Sequence, residues 1–238
     1  MTLTPAVRFT GYWIAALLIL MAFRPVNAHA SELELRVTDR ASGHPLQEVV
    51  VTLMPESPVA RQQGVPTTYV MSQKQQQFVP QVLVIARGDK VNFPNRDTIR
   101  HHVYSFARGN SFELKLYLDE PRPPVTFEHT GLVTVGCNIH DQMRGYIVVT
   151  DAPWFAMTDR EGRITLSDLP EGKYTLTLWH EQLAANKQTS QSMPMVVQGA
   201  RQHEDIALTL ASTAPALPEP SALQQRFNRA FDQAGESR

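Results

Sequence analysis

Apolar and polar residues alternate over short stretches of this chain, which is the pattern of half-buried β-strands. The alternation is clearest at 33–38 and 112–117, whereas 82–86 is a continuous apolar run. Turn signals such as Ser42-Gly43-His44-Pro45 separate the runs. Together they predict an all-β chain arranged as a sandwich or barrel. The predicted strands are 33–38, 49–54, 68–72, 82–86, 90–93, 112–117, 125–128, 132–135, 144–150, 163–166, 174–179, 195–197 and 205–210.

The first thirty residues have the pattern of a secretory signal peptide. Arg8 precedes an apolar run at 14–23, and Ala28-His29-Ala30 is an A-x-A cleavage site. The run is shorter than the roughly 20 apolar residues that a membrane-spanning helix needs, and an uncleaved N-terminal anchor is the alternative. We therefore expect 1–30 to be a signal peptide, the protein to be periplasmic, and the mature chain to have no membrane span.

Composition excludes one class of partner and indicates a separate tail. The 22 basic and 23 acidic residues give a net charge of −1, and loss of 1–30 with Arg8 and Arg24 lowers it to about −3. Such a chain lacks the basic patch expected of a nucleic-acid-binding protein. Residues 212–238 are rich in Ala, Pro and Ser, which predicts a disordered tail with a short amphipathic helix at 223–234.

Cys137 is the only cysteine among 238 residues. In an oxidising compartment it has no intramolecular disulfide partner, so it is a free thiol, part of an intermolecular disulfide or a metal ligand. His140 and Met143 follow at three-residue intervals, and a thiolate, an imidazole and a thioether suit copper above other metals. Type 1 copper also needs a second imidazole, for which His101-His102 is the candidate. The residue types therefore favour a metal site.

Two longer motifs carry a resemblance to the cupredoxins, the blue-copper fold of plastocyanin and amicyanin. The first runs from Phe78-Val79-Pro80 through Val91-Asn92-Phe93-Pro94-Asn95 to His101-x-Val103. The second runs from Gly131 through Cys137-x2-His140-x2-Met143 to 145–149. Residues 67–151 therefore resemble a cupredoxin domain, a Greek-key β-sandwich. The resemblance implies one type 1 copper ion bound by His101, Cys137, His140 and Met143.

The position after the first ligand departs from the family's pattern. Cupredoxins usually have an Asn there, which ties the two ligand loops together, and this chain has His102. Three alternatives stay open: His102 makes the same hydrogen bond, points to the opposite side of its strand, or binds the metal in place of His101. The resemblance also implies that Asn95, Asn138 and His102 lie around the copper ligands. Any of the three that is not in this outer position is an alternative ligand.

The segments on either side of 67–151 resemble a second kind of domain. Residues 37–53 and 158–174 are similar to a carboxypeptidase-regulatory-type β-sandwich, which is a small, transthyretin-like and non-catalytic module. We expect 31–66 and 152–211 to form this second Ig/transthyretin-like sandwich together, split by the cupredoxin domain. The alternative is that 31–54 joins the cupredoxin sheet.

The mature chain also resembles exported proteobacterial proteins called methylamine utilization proteins, which carry the same segments at 101–106 and 136–141.

The cupredoxin resemblance implies a periplasmic, non-enzymatic electron carrier that meets redox proteins transiently. His140 is its expected electron port, with Pro94, Ile139 and Tyr146 beside it. A copper-handling or docking protein of the cell envelope is the alternative. Nitrite reduction would need further histidine-rich copper sites, and the sequence has no hydrolase motif such as G-x-S-x-G.

Overall fold

Almost all of the described chain is β-structure, so the prediction of an all-β class is confirmed. The computed structural model describes residues 31–58, 65–118, 123–185 and 190–210. Within these ranges there are seventeen strands and one short helix: β1 Ser31–Asp39, β2 Val50–Pro55, β3 Thr68–Val70, β4 Ser72–Lys74, β5 Gln77–Val79, β6 Val82–Ala86, β7 Lys90–Asn92, β8 His101–Ser105, β9 Phe112–Tyr117, β10 Val125–Thr126, β11 Gly131–Cys137, β12 Arg144–Thr150, β13 Trp154–Met157, β14 Arg163–Leu169, β15 Gly172–Trp179, α1 Glu181–Ala185, β16 Gln191–Val197 and β17 Arg201–Leu208.

Strands from both ends of the described chain form one unit, here called the terminal sandwich. Its two sheets have the orders β14-β1-β17 and β13-β2-β15-β16. Leu53 of β2 lies opposite Leu176 of β15, and both are buried together with Leu33 and Leu35 of β1. The two sheets therefore enclose one apolar core. Among the described residues, β1 and β2 pair with strands of 154–208 and with no strand of 67–151.

The middle of the chain forms a second unit, here called the central sandwich. Its largest sheet has the order β6-β12-β11-β8-β9, and β10-β7-β3 forms a three-stranded sheet. β4 and β5 form a hairpin, which a bridge from Gln73 to Asn95 joins to the segment before β8. Phe93 and Phe127 are buried in the core of this unit, and Cys137 belongs to the same core.

A third apolar cluster joins the two sandwiches. Val82 and Val84 of β6 pack with Val50 of β2 and Trp179 of β15, and all four side chains are buried. The ring of Tyr146 on β12 lies 5.2 Å from the ring of Trp179. The terminal sandwich therefore covers the outer face of β6 and β12. Because β6 is buried on both faces, its run is apolar at every position.

Three local differences from the predicted strands have physical reasons. The strand predicted at 68–72 is two strands, β3 and β4, separated at the fully buried Met71. β5 follows a turn in which Gln75 and Gln76 have φ angles of 54° and 57°, a left-handed conformation that glutamine does not signal in a sequence. β13 follows Pro153 and pairs with β2, but its four residues are all partly buried and show no alternation.

The predictions for the two ends of the chain concern residues that the structure does not describe. The signal peptide at 1–30 and the tail at 212–238 lie outside the described residues. Within the described ranges, no helix has the length and apolar character needed to cross a bilayer.

Leu53→Ala should destabilise the protein strongly, whereas Met54→Ala should not. Leu53 faces the core of the terminal sandwich and is 0% exposed, while its neighbour Met54 is 41% exposed. Truncating a buried leucine to alanine lowers the free energy of unfolding by about 2–5 kcal/mol, and an exposed substitution changes it by about 0.5 kcal/mol or less. Urea unfolding followed by circular dichroism measures both variants. Equal decreases in the free energy of unfolding for the two variants would contradict the assignment of Leu53 to the core side of β2.

Candidate metal centre

The loop between β11 and β12 carries three of the predicted ligands. Cys137 is the last residue of β11 and Met143 the last before β12, and each is 3% exposed. Because the two strands are antiparallel neighbours, the loop begins and ends at the same edge of the core. The backbone N–H of Met143 donates to the carbonyl of His140 at 2.9 Å, and the N–H of Asn138 donates to the carbonyl of His102 at 3.0 Å. The second bond ties the loop to β8.

His101 reaches the same point from β8. Val103 lies opposite Cys137 in the sheet, and the His101 side chain points into the core with no exposed surface. The Nδ1 atom of His101 lies 3.6 Å from the Cys137 Sγ, and the Nδ1 of His140 lies 3.5 Å from the same sulfur. One ligand atom from each of the three residues lies within 4.8 Å of the others. The structure therefore brings His101, Cys137 and His140 into one cluster.

The spacing of this cluster fits a single metal ion. With a metal–sulfur bond of about 2.3 Å and metal–nitrogen bonds of about 2.0 Å, the sulfur–nitrogen distances of 3.5 and 3.6 Å correspond to N–metal–S angles of about 110°. Such angles are open enough for tetrahedral or trigonal coordination. A thiolate with two imidazoles is also the donor set of blue-copper sites. The donor atoms and their spacing therefore fit copper.

Asp97 determines which nitrogen of His101 faces the sulfur. The Asp97 Oδ2 lies 2.8 Å from the His101 Nε2, and an ionised carboxylate only accepts hydrogen bonds. The hydrogen-bond network therefore assigns the proton to Nε2, so that Nδ1 presents its lone pair to Cys137. This is the tautomer that metal binding through Nδ1 requires.

The carboxyl group of Asp97 is held in its ionised form. Burial raises the pKa of Asp97, but hydrogen bonds from the Gln76 N–H, the His101 ring and the Gln75 N–H outweigh burial, so the pKa lies below that of an ordinary aspartate. Sequence reasoning missed Asp97. Its one signal is a carboxylate four positions before His101, and no sequence pattern shows that the intervening loop turns it back toward the ring.

Met143 is buried in the core at the end of the loop that carries Cys137 and His140. It packs in the same apolar cluster as Cys137, and both residues line one groove on the surface between β8, β11 and β12. The turn that ends at Met143 begins at His140. A buried thioether at this place suits a weak axial ligand.

His102 is not part of the cluster. Its Nε2 lies 2.8 Å from the Oε1 of Glu113 on β9, and its side chain is 18% exposed while that of His101 is 0% exposed. Neighbouring residues of a strand face opposite sides, so His102 points away from Cys137. The two ligand loops are tied by the backbone carbonyl of His102 and not by its ring.

Asn95 and Asn138 lie near the cluster in different ways. The Asn95 side chain donates to the carbonyl of Ile99 at 2.8 Å, and its oxygen accepts from the N–H of Asp97 at 2.9 Å. Asn95 therefore shapes the segment that leads into β8. Asn138 contributes the backbone N–H that binds His102, and Asn138 itself is exposed.

His140 lies partly exposed at the edge of the site. Ile139 beside it is 49% exposed, and Pro94 is half-buried. Tyr146 on β12 packs against Trp179 in the contact between the two sandwiches, and it also lines the groove that Asn138 and Met143 of the ligand loop line.

Comparisons with solved structures find copper proteins. A reduced amicyanin variant is 25% identical to this chain, covering 42% of this chain and 98% of that one, with a TM-score of 0.33. An oxidized amicyanin variant is 19% identical and covers 43% and 99%, with a TM-score of 0.32. A copper-containing nitrite reductase from Thermus scotoductus SA-01 is 24% identical and covers 40% and 25%, with a TM-score of 0.34.

No protein-family model and no curated protein matches the chain. The likeness to amicyanin and to the nitrite reductase extends over less than half of this chain. The assignment of the site therefore rests on the distances within this protein.

His101→Ala should abolish tight metal binding, whereas His102→Ala should leave the affinity close to that of the unchanged protein. His101 faces the Cys137 sulfur, and His102 faces Glu113 on the other side of β8. The loss in His101→Ala should exceed the roughly 10–100-fold that removal of an outer hydrogen-bond partner costs. Competition titration of Zn(II) or Cu(I) against a chromophoric chelator measures both variants. An equal loss in both would contradict the assignment of faces on β8.

Proposed function

We propose that the protein is a periplasmic type 1 copper protein that carries single electrons between redox partners. The observation that carries this proposal is the approach of two imidazole nitrogens to one thiol sulfur at 3.5 and 3.6 Å. In this proposal His101, Cys137 and His140 hold one copper ion and Met143 is its weak axial ligand. Bound copper would supply one-electron exchange between Cu(I) and Cu(II).

The way in which the ligands are held favours electron transfer. His101 and Cys137 lie on paired neighbouring strands, and both side chains are buried. Ligands on rigid strands keep their geometry when the charge of the ion changes, so little rearrangement accompanies electron transfer. Enzymatic metal sites keep one coordination position open for a substrate, whereas four protein ligands surround the ion in this proposal. We therefore propose a carrier and not an enzyme.

His140 is the proposed point at which electrons enter and leave. It is the ligand with the most exposure in the cluster, and the exposed apolar side chain of Ile139 lies next to it in the loop. A small apolar surface around an exposed ligand suits a redox protein that docks briefly, since such complexes bury little surface. The proposed partners are other redox proteins of the same compartment.

The proposed division of the chain follows from the strand pairing. Residues 67–151 would carry the copper site, and 31–66 with 152–211 would form a non-catalytic, carboxypeptidase-regulatory-like sandwich. The pairing of β2 with β15 supports this division. The contact of Val82 and Val84 with Trp179 holds the two sandwiches together. The proposed location in the periplasm rests on the signal-peptide pattern at 1–30.

The copper-loaded protein should have a strong visible absorption band from thiolate-to-Cu(II) charge transfer. Cys137→Ala should abolish the band, because it removes the sulfur donor. Gln142→Ala is the matched control, since Gln142 is exposed in the same loop and should leave the band intact. Optical and EPR spectra of the three proteins test ligand set and geometry together. A copper-loaded protein without this band would overturn the proposal.

The same preparation separates electron transfer from copper handling. A carrier should show a reversible one-electron potential, rapid electron exchange and slow copper loss. A copper-handling protein should instead release its ion readily to an acceptor chelator. Rapid release together with slow electron exchange would therefore replace the proposed function by the second one.

Met143→Leu should keep the visible band and raise the reduction potential. Loss of the thioether removes a donor that stabilises Cu(II), and the axial ligand is known to tune such potentials. A Met-to-Leu exchange in a core destabilises by less than about 1.5 kcal/mol, so the fold should persist. Met71→Leu is the control, because Met71 is fully buried in the same core and should leave the potential unchanged. Voltammetry that gave equal shifts for the two variants would exclude Met143 as a ligand.

A further inference from the structure

We propose that Asp97 is a positioning residue for His101, which it holds in the metal-binding tautomer and whose donor strength it raises, so that Cu(II) is favoured over Cu(I). This inference rests on the proposed copper site. It states that the Asp97 carboxylate, which is not itself a ligand, lowers the reduction potential of that site.

The hydrogen bond between Asp97 and His101 is short and shielded. The Asp97 Oδ2 lies 2.8 Å from the His101 Nε2, and the two side chains are 12% and 0% exposed. A hydrogen bond to a charged group is stronger in such surroundings than in water. It leaves the Nδ1 of His101 without a proton and directed at the Cys137 sulfur, 3.6 Å away.

The carboxylate itself is held by the backbone of another element. The N–H of Gln75 donates to Oδ1 at 2.6 Å, and the N–H of Gln76 donates to Oδ2 at 3.0 Å. Both residues form the left-handed turn of the β4–β5 hairpin. The two carboxylate oxygens therefore each have a fixed donor, and Asp97 cannot rotate away from His101 without giving up these bonds.

The segment that carries Asp97 is also held at its own start. Asn95 accepts a hydrogen bond from the Asp97 N–H and donates one to the carbonyl of Ile99. The chain therefore folds back between Asn95 and His101, and this return places the Asp97 carboxylate at the Nε2 edge of the His101 ring. Asn95 thus acts on the site through Asp97.

The negative charge of Asp97 acts on His101 without a neutralising cation. Among the described residues, its ion pair is with His101 and with no Lys or Arg. A carboxylate that accepts from a metal-binding imidazole makes the imidazole a stronger donor. Both the stronger donor and the nearby negative charge stabilise Cu(II) more than Cu(I). The reduction potential is therefore lower with Asp97 than without it.

The pair formed by Glu113 on β9 and His102 on β8 provides a matched control. Its Oε1 lies 2.8 Å from the Nε2 of His102, so the atoms and the distance are those of the Asp97–His101 pair. His102 points away from the cluster, and the Glu113 side chain is 54% exposed. Glu113→Gln removes the negative charge from an equivalent hydrogen bond without touching a ligand.

The test compares Asp97→Asn with Glu113→Gln in the copper-loaded protein. Asp97→Asn should lower the ratio of Cu(II) to Cu(I) affinity roughly tenfold, which is a rise in potential of about 59 mV for one electron. Glu113→Gln should shift the potential by much less. Voltammetry measures both, and circular dichroism checks that each variant is folded. An unchanged potential in Asp97→Asn, or equal shifts in both variants, would overturn the inference.

A second measurement needs neither copper nor a variant. Nitrogen-15 NMR of the metal-free protein should show a proton on the Nε2 of His101 and none on Nδ1. The opposite tautomer would overturn the inference even if Asp97→Asn failed to fold.

The two measurements also separate this inference from the proposed function. A missing visible band would remove the proposed function and leave the tautomer result standing. A normal band with an unchanged potential in Asp97→Asn would leave the function and remove the inference.

Discussion

The pairing of β8 with β11 is the constraint on which the site depends. Val103 lies opposite Cys137, and the hydrogen bond from the Asn138 N–H to the His102 carbonyl continues the pairing into the loop. This register directs His101 to the core side, where its ring meets the sulfur. An imidazole and a thiol buried without partners would destabilise the fold. The ligand cluster and the local register therefore support each other.

The two sandwiches stabilise each other through one face of the central sheet. β6 and β12 turn apolar side chains outward, and Trp179 of the terminal sandwich covers them. Such a surface would be an association hazard if it were exposed. The opposite end of the sheet order holds β8 and β9, with the His102–Glu113 pair on the outside. Strands β6 and β12 therefore hold the terminal sandwich in place, and the strand β8 that carries His101 lies in the other half of the same sheet.

Much of the fold could be predicted from local patterns. The strands at 112–117 and 144–150 have the predicted bounds, because alternation and flanking turn residues both specify them. The turn at Gln75 and Gln76 could not be predicted, since glutamine rarely adopts positive φ. β13 was missed because its four residues are all partly buried and do not alternate between buried and exposed positions.

The sequence by itself determined the donor atoms of the candidate site, but the strand β8 that carries His101 was not among the predicted strands. Cys137, His140 and Met143 share one short loop, and their spacing alone places them together. Only the tertiary structure decided that His101 and not His102 faces the sulfur, because the direction of a strand residue depends on which side of the sheet is the core. It also decided the role of Asp97, whose contact with His101 requires a loop held by a hairpin from elsewhere in the chain. Composition and spacing specify which groups are available, and long-range backbone pairing specifies where they point.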